Sequence, residues 1–295
     1  MEDRFTSPAG HHLFEINSKG KLLDDHKKEL FHTITAKLLY MMKRSRPDIE
    51  LTISFLCTRV RDPDIDDWKK LKRVLGWLKR TINDTRFIGA NSLDQIYTWI
   101  DASYAVHMDM RGHTGGAISM GYGLIHARAG KQKINTKSST ESELVGVAEY
   151  IPYNLWILMF LEAQGYGIKD NVIYQDNQSA MLMEQNGRNS CTGNSRHINI
   201  RYFFVKDRIN KGEVRVQYCP TGLMLGDYYT KPLMGAKFQE FRSFVMGWKN
   251  INEIVRLIES SDGIKERVGN TDKLFLSKNV IKSEHTSEYM CQKID

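Results

Sequence analysis

Apolar and polar positions along this chain of 295 residues follow two different periods, and the change of period divides it into regions. Up to about residue 95, apolar residues recur at helical spacing in "ELFHTITAKLLYMMKRS", which Pro47 ends. The same spacing occurs in "DDWKKLKRVLGWLKRTI", where one stripe contains Leu71, Val74, Leu75 and Leu78. The stretch between them, "DIELTISFLCTRV", fits a second helix or a strand. Residues 1–95 are therefore predicted to be a mainly helical segment.

Residues 96–247 show strand and helix patterns in turn. "QIYTWIDAS" alternates as a strand, and the glycine-rich "TGGAISMGYGLIHARAG" fits a pair of antiparallel strands. A long helix follows in "SSTESELVGVAEYIPYNLWILMFLEAQG". The remaining elements are a strand "NVIYQD", a short helix "NQSAMLMEQ", a longer helix "SRHINIRYFFVKDRINKG", a strand "EVRVQYC" and a final helical turn or two in "GLMLGDYYTK". This order predicts an α/β domain with a mixed five-stranded sheet and flanking helices.

Residues 248–295 carry one short amphipathic segment, at Ile251, Ile254, Val255 and Ile258, and then a polar tail that we expect to be poorly ordered. The longest apolar stretches fall short of the ~20 residues that a membrane span needs. The N-terminus lacks a secretory signal. Four scattered cysteines form no CxxC pair, which argues against a zinc site or a disulfide framework. We therefore expect an intracellular protein of the cytoplasm or nucleus, neither secreted nor bound to a membrane.

Acidic residues fall at the places where an α/β sheet positions a site. Asp101 lies near the end of the first strand, Glu143 in the first turns of the long helix, Asp176 at the end of the fourth strand, and Asp227 in the last helical turns. Converging carboxylates repel one another unless a cation neutralises them. All-oxygen ligands suit Mg²⁺ or Mn²⁺, and two such ions about 4 Å apart can activate a water and stabilise the leaving 3′-oxygen in phosphodiester cleavage. The net charge of +7 favours a polyanionic partner.

Five motifs, in order, resemble the ribonuclease H domain at the C-terminal end of copia-type LTR-retrotransposon polyproteins. They are "TWIDASYAVHMDMRGHTGG", "KQKINTKSSTESELVG", "YQDNQSAM", "SRHINIRYFFVKDRI" and "VQYCPTGLMLGDYYTKPL". The upstream "FHTITAKLLYMMKRSRPDI" and "WKKLKRVLGWLKRTI" are similar to the stretch that joins polymerase to RNase H in the same polyproteins. The resemblance implies an RNase H-like fold over residues 96–247, a reverse-transcriptase connection-like segment over 1–95, and a short helix and tail over 248–295.

The resemblance assigns catalysis and the binding of two Mg²⁺ ions, or Mn²⁺, to Asp101, Glu143, Asp176 and Asp227. Capping-box spacing fits both Ser138 to Glu141 and Thr140 to Glu143, so the local rule leaves the choice of glutamate open. The family's glutamate precedes the apolar run, which selects Glu143. For Asp176 we expect metal binding as the main role and capping of the next helix as a secondary one. Asp227 is the weakest match, because Gly226 stands where the family has an alanine-like residue.

Further residues around these acids are candidates for nucleic-acid binding. Asn177, Gln178 and Ser179 could contact a sugar or phosphate from a helix N-terminus, and Arg196 and His197 could position the scissile phosphate. Lys131 and Lys133 could follow the backbone; exposed lysines at a strand edge are an equally good interpretation. The basic face of the helix around Lys72 is open to the same two interpretations.

The resemblance implies a metal-dependent endonuclease that hydrolyses the RNA strand of RNA–DNA hybrids, within a polyprotein or virus-like particle. The paired aspartates of a polymerase palm are absent from this sequence, so DNA synthesis is not expected. The alternative is a catalytically silent hybrid-binding relic of a decayed retroelement. A DDE-type integrase is rejected, because Glu213 opens a strand instead of lying on a helix.

Overall fold

The computed structural model of the chain describes residues 6–186 and 196–261, which fall into two compact units divided between Glu253 and Ile254. The α-helices of the first unit are α1 (Asp25–Arg44), α2 (Glu50–Cys57), α3 (Ile65–Arg80), α4 (Ser139–Ala163), α5 (Gln178–Asn186), α6 (Arg196–Asn210) and α7 (Gly235–Val245). Its strands are β1 (Gly89–Ala90), β2 (Gln95–Ser103), β3 (His113–Ser119), β4 (Gly121–Tyr122), β5 (His126–Lys131), β6 (Asp170–Gln175) and β7 (Arg215–Tyr218). A further helix covers residues 252–261, and the predicted tail lies outside the described residues.

The main sheet has five strands in the order β5-β3-β2-β6-β7. β3 is antiparallel to both β2 and β5, whereas β6 is parallel to β2 and β7 is parallel to β6. The short strands β1 and β4 form a separate antiparallel pair. The predicted mixed five-stranded sheet with flanking helices is confirmed.

Helix α4 is the core helix of the sheet. Leu144, Val147 and Ile151 are fully buried, as their helical spacing predicts. Tyr150 packs against β3 so closely that a Cβ added at Gly116 would lie 2.3 Å from its ring, which explains the glycine in this strand. The sequence-based statement on apolar length needs correction here. Among the described helices, α4 is long and apolar enough to cross a membrane, but 61% of its apolar window is buried inside the protein.

The stretch that the sequence left open between helix and strand is a helix, α2, and it covers the sheet edge at β5. The Glu50 carboxylate accepts a hydrogen bond from the Ala129 backbone N–H at 3.0 Å, and the Ser54 hydroxyl donates to the Ala129 carbonyl at 2.8 Å. Side chains of α2 thus satisfy backbone groups of an edge strand that would otherwise be open to pairing with another chain.

Two further details differ from the sequence-based expectation. In α3 the buried apolar side chains are Leu71, Val74 and Trp77, whereas Leu75 is exposed, so the apolar stripe is rotated from the predicted one. Helix α7 was not predicted, although its buried residues Phe238, Phe241 and Phe244 recur every three positions. The division of the chain near residue 95 stays a prediction.

Candidate metal centre

The site begins where two parallel strands end. Asp101 lies on β2, and Asp176 follows the last residue of β6. The register pairs Trp99 of β2 with Tyr174 of β6, so each aspartate is two residues beyond the same rung of the ladder. Both carboxylates therefore leave the sheet at its carboxyl edge, the usual place for ligands in open α/β sheets.

A close-packed turn brings Asp227 to the same place. Asp227 lies in a 3-10 helix, Leu225–Tyr229, that packs on β2 and β3. A Cβ at Gly226 would lie 2.9 Å from the backbone nitrogen of Asp101, and one at Gly115 would lie 2.6 Å from the Thr230 methyl carbon. Glycine on both sides of the contact therefore allows the turn to approach. This accounts for Gly226, which the sequence comparison marked as a departure.

Carboxylate oxygens of Asp101, Asp176 and Asp227 all lie within 4.8 Å of one another. Asp101 and Asp227 are buried, and Asp176 is half-buried. Three carboxylates this close form an all-oxygen donor set that matches the preference of Mg²⁺ and Mn²⁺. The donor chemistry of these residues fits a divalent cation.

Glu143 faces this cluster, although it is not one of the three residues within that distance. It is buried, the Gln175 amide donates to its carboxylate at 3.4 Å, and the Ala102 backbone N–H donates to it as well. Glu141 is engaged at the surface, where its carboxylate accepts a hydrogen bond from the Lys137 backbone N–H at 2.7 Å. The structure thus places Glu143, and not Glu141, beside the aspartates.

The helix after β6 is capped by Asn177 and not by Asp176. The side-chain oxygen of Asn177 accepts a hydrogen bond from the Ala180 backbone N–H at 3.1 Å and thereby caps α5. The Asp176 carboxylate accepts instead from the Thr221 hydroxyl at 3.0 Å. Capping, expected as a secondary role of Asp176, is therefore assigned to Asn177.

Burial, together with the crowding of like charges, raises the pKa values of the acids at the site. Burial, and next the charge of Asp101, raise the pKa of Asp176 above its ordinary value and that of Asp227 to about 7. The same two causes, with the charge of Asp176, raise the pKa of Glu143 well above its usual range. The repulsion among these groups is the electrostatic condition that a bound cation relieves.

Two residues at the site were not singled out from the sequence. The Thr230 hydroxyl donates to Asp101, and the Lys231 ammonium lies 2.6 Å from an oxygen of Asp227. Burial lowers the pKa of Lys231, but the carboxylates of Asp101 and Asp227 raise it by more. The signal that could have identified Lys231 is its spacing of four residues from Asp227.

The residues predicted to bind nucleic acid lie in different surroundings in the structure. Asn177, Gln178 and Ser179 line an open depression of ≈ 530 Å³ together with Asp176 and Tyr218. Lys133 is exposed, whereas Lys131 forms an ion pair with Asp109 at 2.7 Å. Arg196 and His197 lie in the first turn of α6, and their side chains are outside the described part of the structure.

Comparison with known proteins gives several retrovirus-related Pol polyproteins among the sequence relatives of the chain. The chain is 27% identical over 232 residues to the retrovirus-related Pol polyprotein from transposon TNT 1-94 of Nicotiana tabacum, a match that covers 78% of the chain. It is 31% identical to the corresponding polyproteins from transposons RE2 and RE1 of Arabidopsis thaliana, over 67% and 68% of the chain. No protein-family model matches the chain.

The chain spans only part of these relatives, 17% of the tobacco polyprotein and 14% of each Arabidopsis one. Two solved structures also align with it. An RNase H1 isolated from compost by a metagenomic approach gives a TM-score of 0.32 at 10% identity, covering 43% of this chain and 86% of that one. RNase H1 from Halobacterium salinarum gives 0.29 at 11% identity, covering 50% and 98%. By its sequence, the chain is related to part of the retrovirus-related Pol polyproteins of copia-type transposons.

Proposed function

We propose that the chain is a metal-dependent endonuclease of the ribonuclease H type, which hydrolyses the RNA strand of RNA–DNA hybrids as part of a retrotransposon reverse transcriptase. The observation that carries the proposal is the meeting of Asp101, Asp176 and Asp227 at the carboxyl edge of the sheet, with oxygens within 4.8 Å of one another. Glu143 beside them completes the set expected from the sequence. A purely structural role would not explain why so many acids are crowded together and partly desolvated.

The four acids would hold two Mg²⁺ or Mn²⁺ ions. Such ions, when bound, lower the pKa of a nucleophilic water and stabilise the charge on the leaving oxygen. The protein fixes the ligands in advance. Hydroxyl groups of Thr230 and Thr221 donate to Asp101 and Asp176, and each restricts the orientation of its carboxylate.

Contacts to the hybrid would come from the depression beside Asp176. Gln178 and Ser179 are exposed at the first turn of α5, where unpaired backbone N–H groups favour phosphate. Polar side chains at this position can also reach the 2′-hydroxyl groups that distinguish the RNA strand from DNA. The net charge of +7 supports a polyanionic substrate.

The test is cleavage of an end-labelled RNA–DNA hybrid with Mg²⁺ and then Mn²⁺. Asp176→Asn keeps the size of the side chain but removes one ligand charge, so we expect cleavage to fall by a factor on the order of 100 or more, with an unchanged circular-dichroism spectrum. The matched control is Asp109→Asn, which changes an ion-paired loop aspartate and should retain cleavage.

Equal cleavage by wild type and Asp176→Asn would contradict the assignment of the site. A folded wild-type chain that retards the hybrid in a gel but cuts neither strand with either metal would favour the alternative function, a catalytically silent hybrid-binding module.

A further inference from the structure

Lys231 places a positive charge inside the acidic cluster. Its ammonium lies 2.6 Å from an oxygen of Asp227 and 3.9 Å from an oxygen of Asp101. It therefore lies on the side of the cluster formed by those two residues. Asp176 forms the other side, where its carboxylate accepts a hydrogen bond from the Thr221 hydroxyl at 3.0 Å. The positive charge beside Asp101 and Asp227 is therefore already supplied by the protein, through the Lys231 ammonium.

The Lys231 side chain has room to move out of the cluster, whereas the carboxylates of Asp101 and Asp227 are held in place by burial. Side chains of Asp101 and Asp227 are only 3% and 10% exposed, but the Lys231 side chain is 42% exposed. A flexible four-carbon stem with its charged end near solvent can swing outward without disturbing the packed turn. The ammonium is a movable counter-charge beside fixed anions.

We infer that Lys231 is a built-in counter-cation, whose ammonium occupies one of the two cation positions, between Asp101 and Asp227, until a divalent ion displaces it. The inference rests on the proposed function, because it concerns the same metal centre. A divalent ion bound on the Asp176 side of the cluster would not have to displace the lysine. The chain therefore binds two divalent ions with unequal affinity, and Lys231 weakens the second binding event.

The consequence can be measured without nucleic acid. Removing the ammonium frees the second position, so Lys231→Met should tighten the weaker binding event by about two- to fivefold, the size of effect that a partly exposed ion pair has on an equilibrium constant. The same variant leaves Asp101 and Asp227 without their counter-charge when no metal is present. Its melting temperature without metal should therefore fall, and the rise on adding metal should exceed that of wild type.

The experiment is calorimetric titration of the full chain with Mn²⁺, with melting curves with and without the ion. Lys231→Arg keeps the positive charge and should bind Mn²⁺ like wild type. Lys211→Met is the matched control, because Lys211 also pairs with an aspartate four residues earlier, Asp207, at 2.8 Å. It removes the same charge away from the cluster and should leave both affinities unchanged.

Other results of the titration would contradict either the role of Lys231 or the metal centre itself. If Lys231→Met binds Mn²⁺ with the affinities of wild type, or more weakly, Lys231 is not a competitor of the metal and the inference is overturned while the proposed function stands. The same holds if Lys211→Met tightens binding as much as Lys231→Met, because the effect is then general electrostatics. Absence of Mn²⁺ binding by the folded wild type and every variant contradicts the metal centre itself.

Discussion

Glu184 on α5 is a fully buried carboxylic acid. Neither of its oxygens has a hydrogen-bond partner among the described residues. Burial raises its pKa to about 8. Because a charged group without a partner is costly to bury, the folded protein holds Glu184 protonated where an unfolded chain has released the proton.

Burial of Glu184 should make the folded protein less stable as the pH rises. A pKa raised from about 4.5 to about 8 means that the protonated acid's contribution is present below the unfolded pKa and is lost as pH rises through the folded one. We expect the free energy of unfolding of wild type to fall by on the order of 2 to 4 kcal/mol between pH 5 and 9 through this group. Glu184→Met should remove that decrease. Urea unfolding at both pH values measures it.

The control for Glu184 is an exposed glutamate on a neighbouring helix. Glu162→Met on α4 should leave the pH dependence as it is in wild type. If Glu184→Met instead shows the same decrease as wild type, burial of this carboxyl group is not the cause of the alkaline loss.

At the scale of elements, the site depends on how closely one turn packs on the sheet. The turn Leu225–Tyr229 carries Asp227 and leads to Thr230 and Lys231, and it rests on Gly115 of β3. A side chain on that glycine would have to share space with Thr230, Tyr229 and the Gly226 carbonyl oxygen, all within 2.9 Å of a Cβ. The strand glycine therefore determines the position of three residues of the metal centre.

Gly115→Ala should therefore weaken metal binding while leaving the chain folded. Overpacking of this kind costs about 1–3 kcal/mol of unfolding free energy. Displacement of Asp227 should in addition weaken Mn²⁺ binding by about tenfold or more, because a ligand must be held close to its productive geometry. Gly130→Ala on β5 is the matched change, since a Cβ there meets Arg128 at an ordinary 3.6 Å. Equal Mn²⁺ affinities for the two variants would contradict this role of the turn.

Elements with a repeating apolar pattern could be predicted from the sequence, whereas those fixed by their surroundings could not. β2 covers the whole of "QIYTWIDAS", as predicted, but its seven interior residues are all buried, so both faces of the strand are covered and burial does not alternate. The stretch of α2 is apolar nearly all round, so periodicity could not separate helix from strand. The sequence did not show that Asn177, and not Asp176, caps α5. That assignment depends on one hydrogen bond, donated by the Ala180 backbone N–H to the Asn177 side chain.

At the scale of the whole first unit, a buried ionic cluster joins segments that are distant in sequence. The Asp48 carboxylate accepts hydrogen bonds from Arg46 at 2.8 Å, Arg242 at 2.9 Å and Trp77 at 3.2 Å. The arginines outweigh the effect of burial and lower the pKa of Asp48. Because such a cluster is strongly destabilised when one member is lost, the N-terminal helices and α7 are expected to unfold together.

The site could be anticipated from the order of strands, because parallel neighbours bring their carboxyl ends to one edge. The four-residue spacing of Lys231 from Asp227 indicates their ion pair, but only the packing of the turn shows that Lys231 also lies near Asp101. The proposed nuclease function is supported by this convergence of side chains and by the similarity to retrotransposon Pol polyproteins. The chain spans less than a fifth of each of those three relatives.

The most direct measurement of the central claim is strand selectivity. The purified chain with Mg²⁺ is given three duplexes of one sequence, RNA–DNA, RNA–RNA and DNA–DNA, each labelled on either strand in turn. We expect cleavage of the RNA strand of the hybrid, leaving 3′-hydroxyl ends, with the other strands intact, and no cleavage when Mg²⁺ is chelated. Cleavage of all three duplexes alike, or cleavage that persists after chelation, would contradict a ribonuclease H site built on these carboxylates.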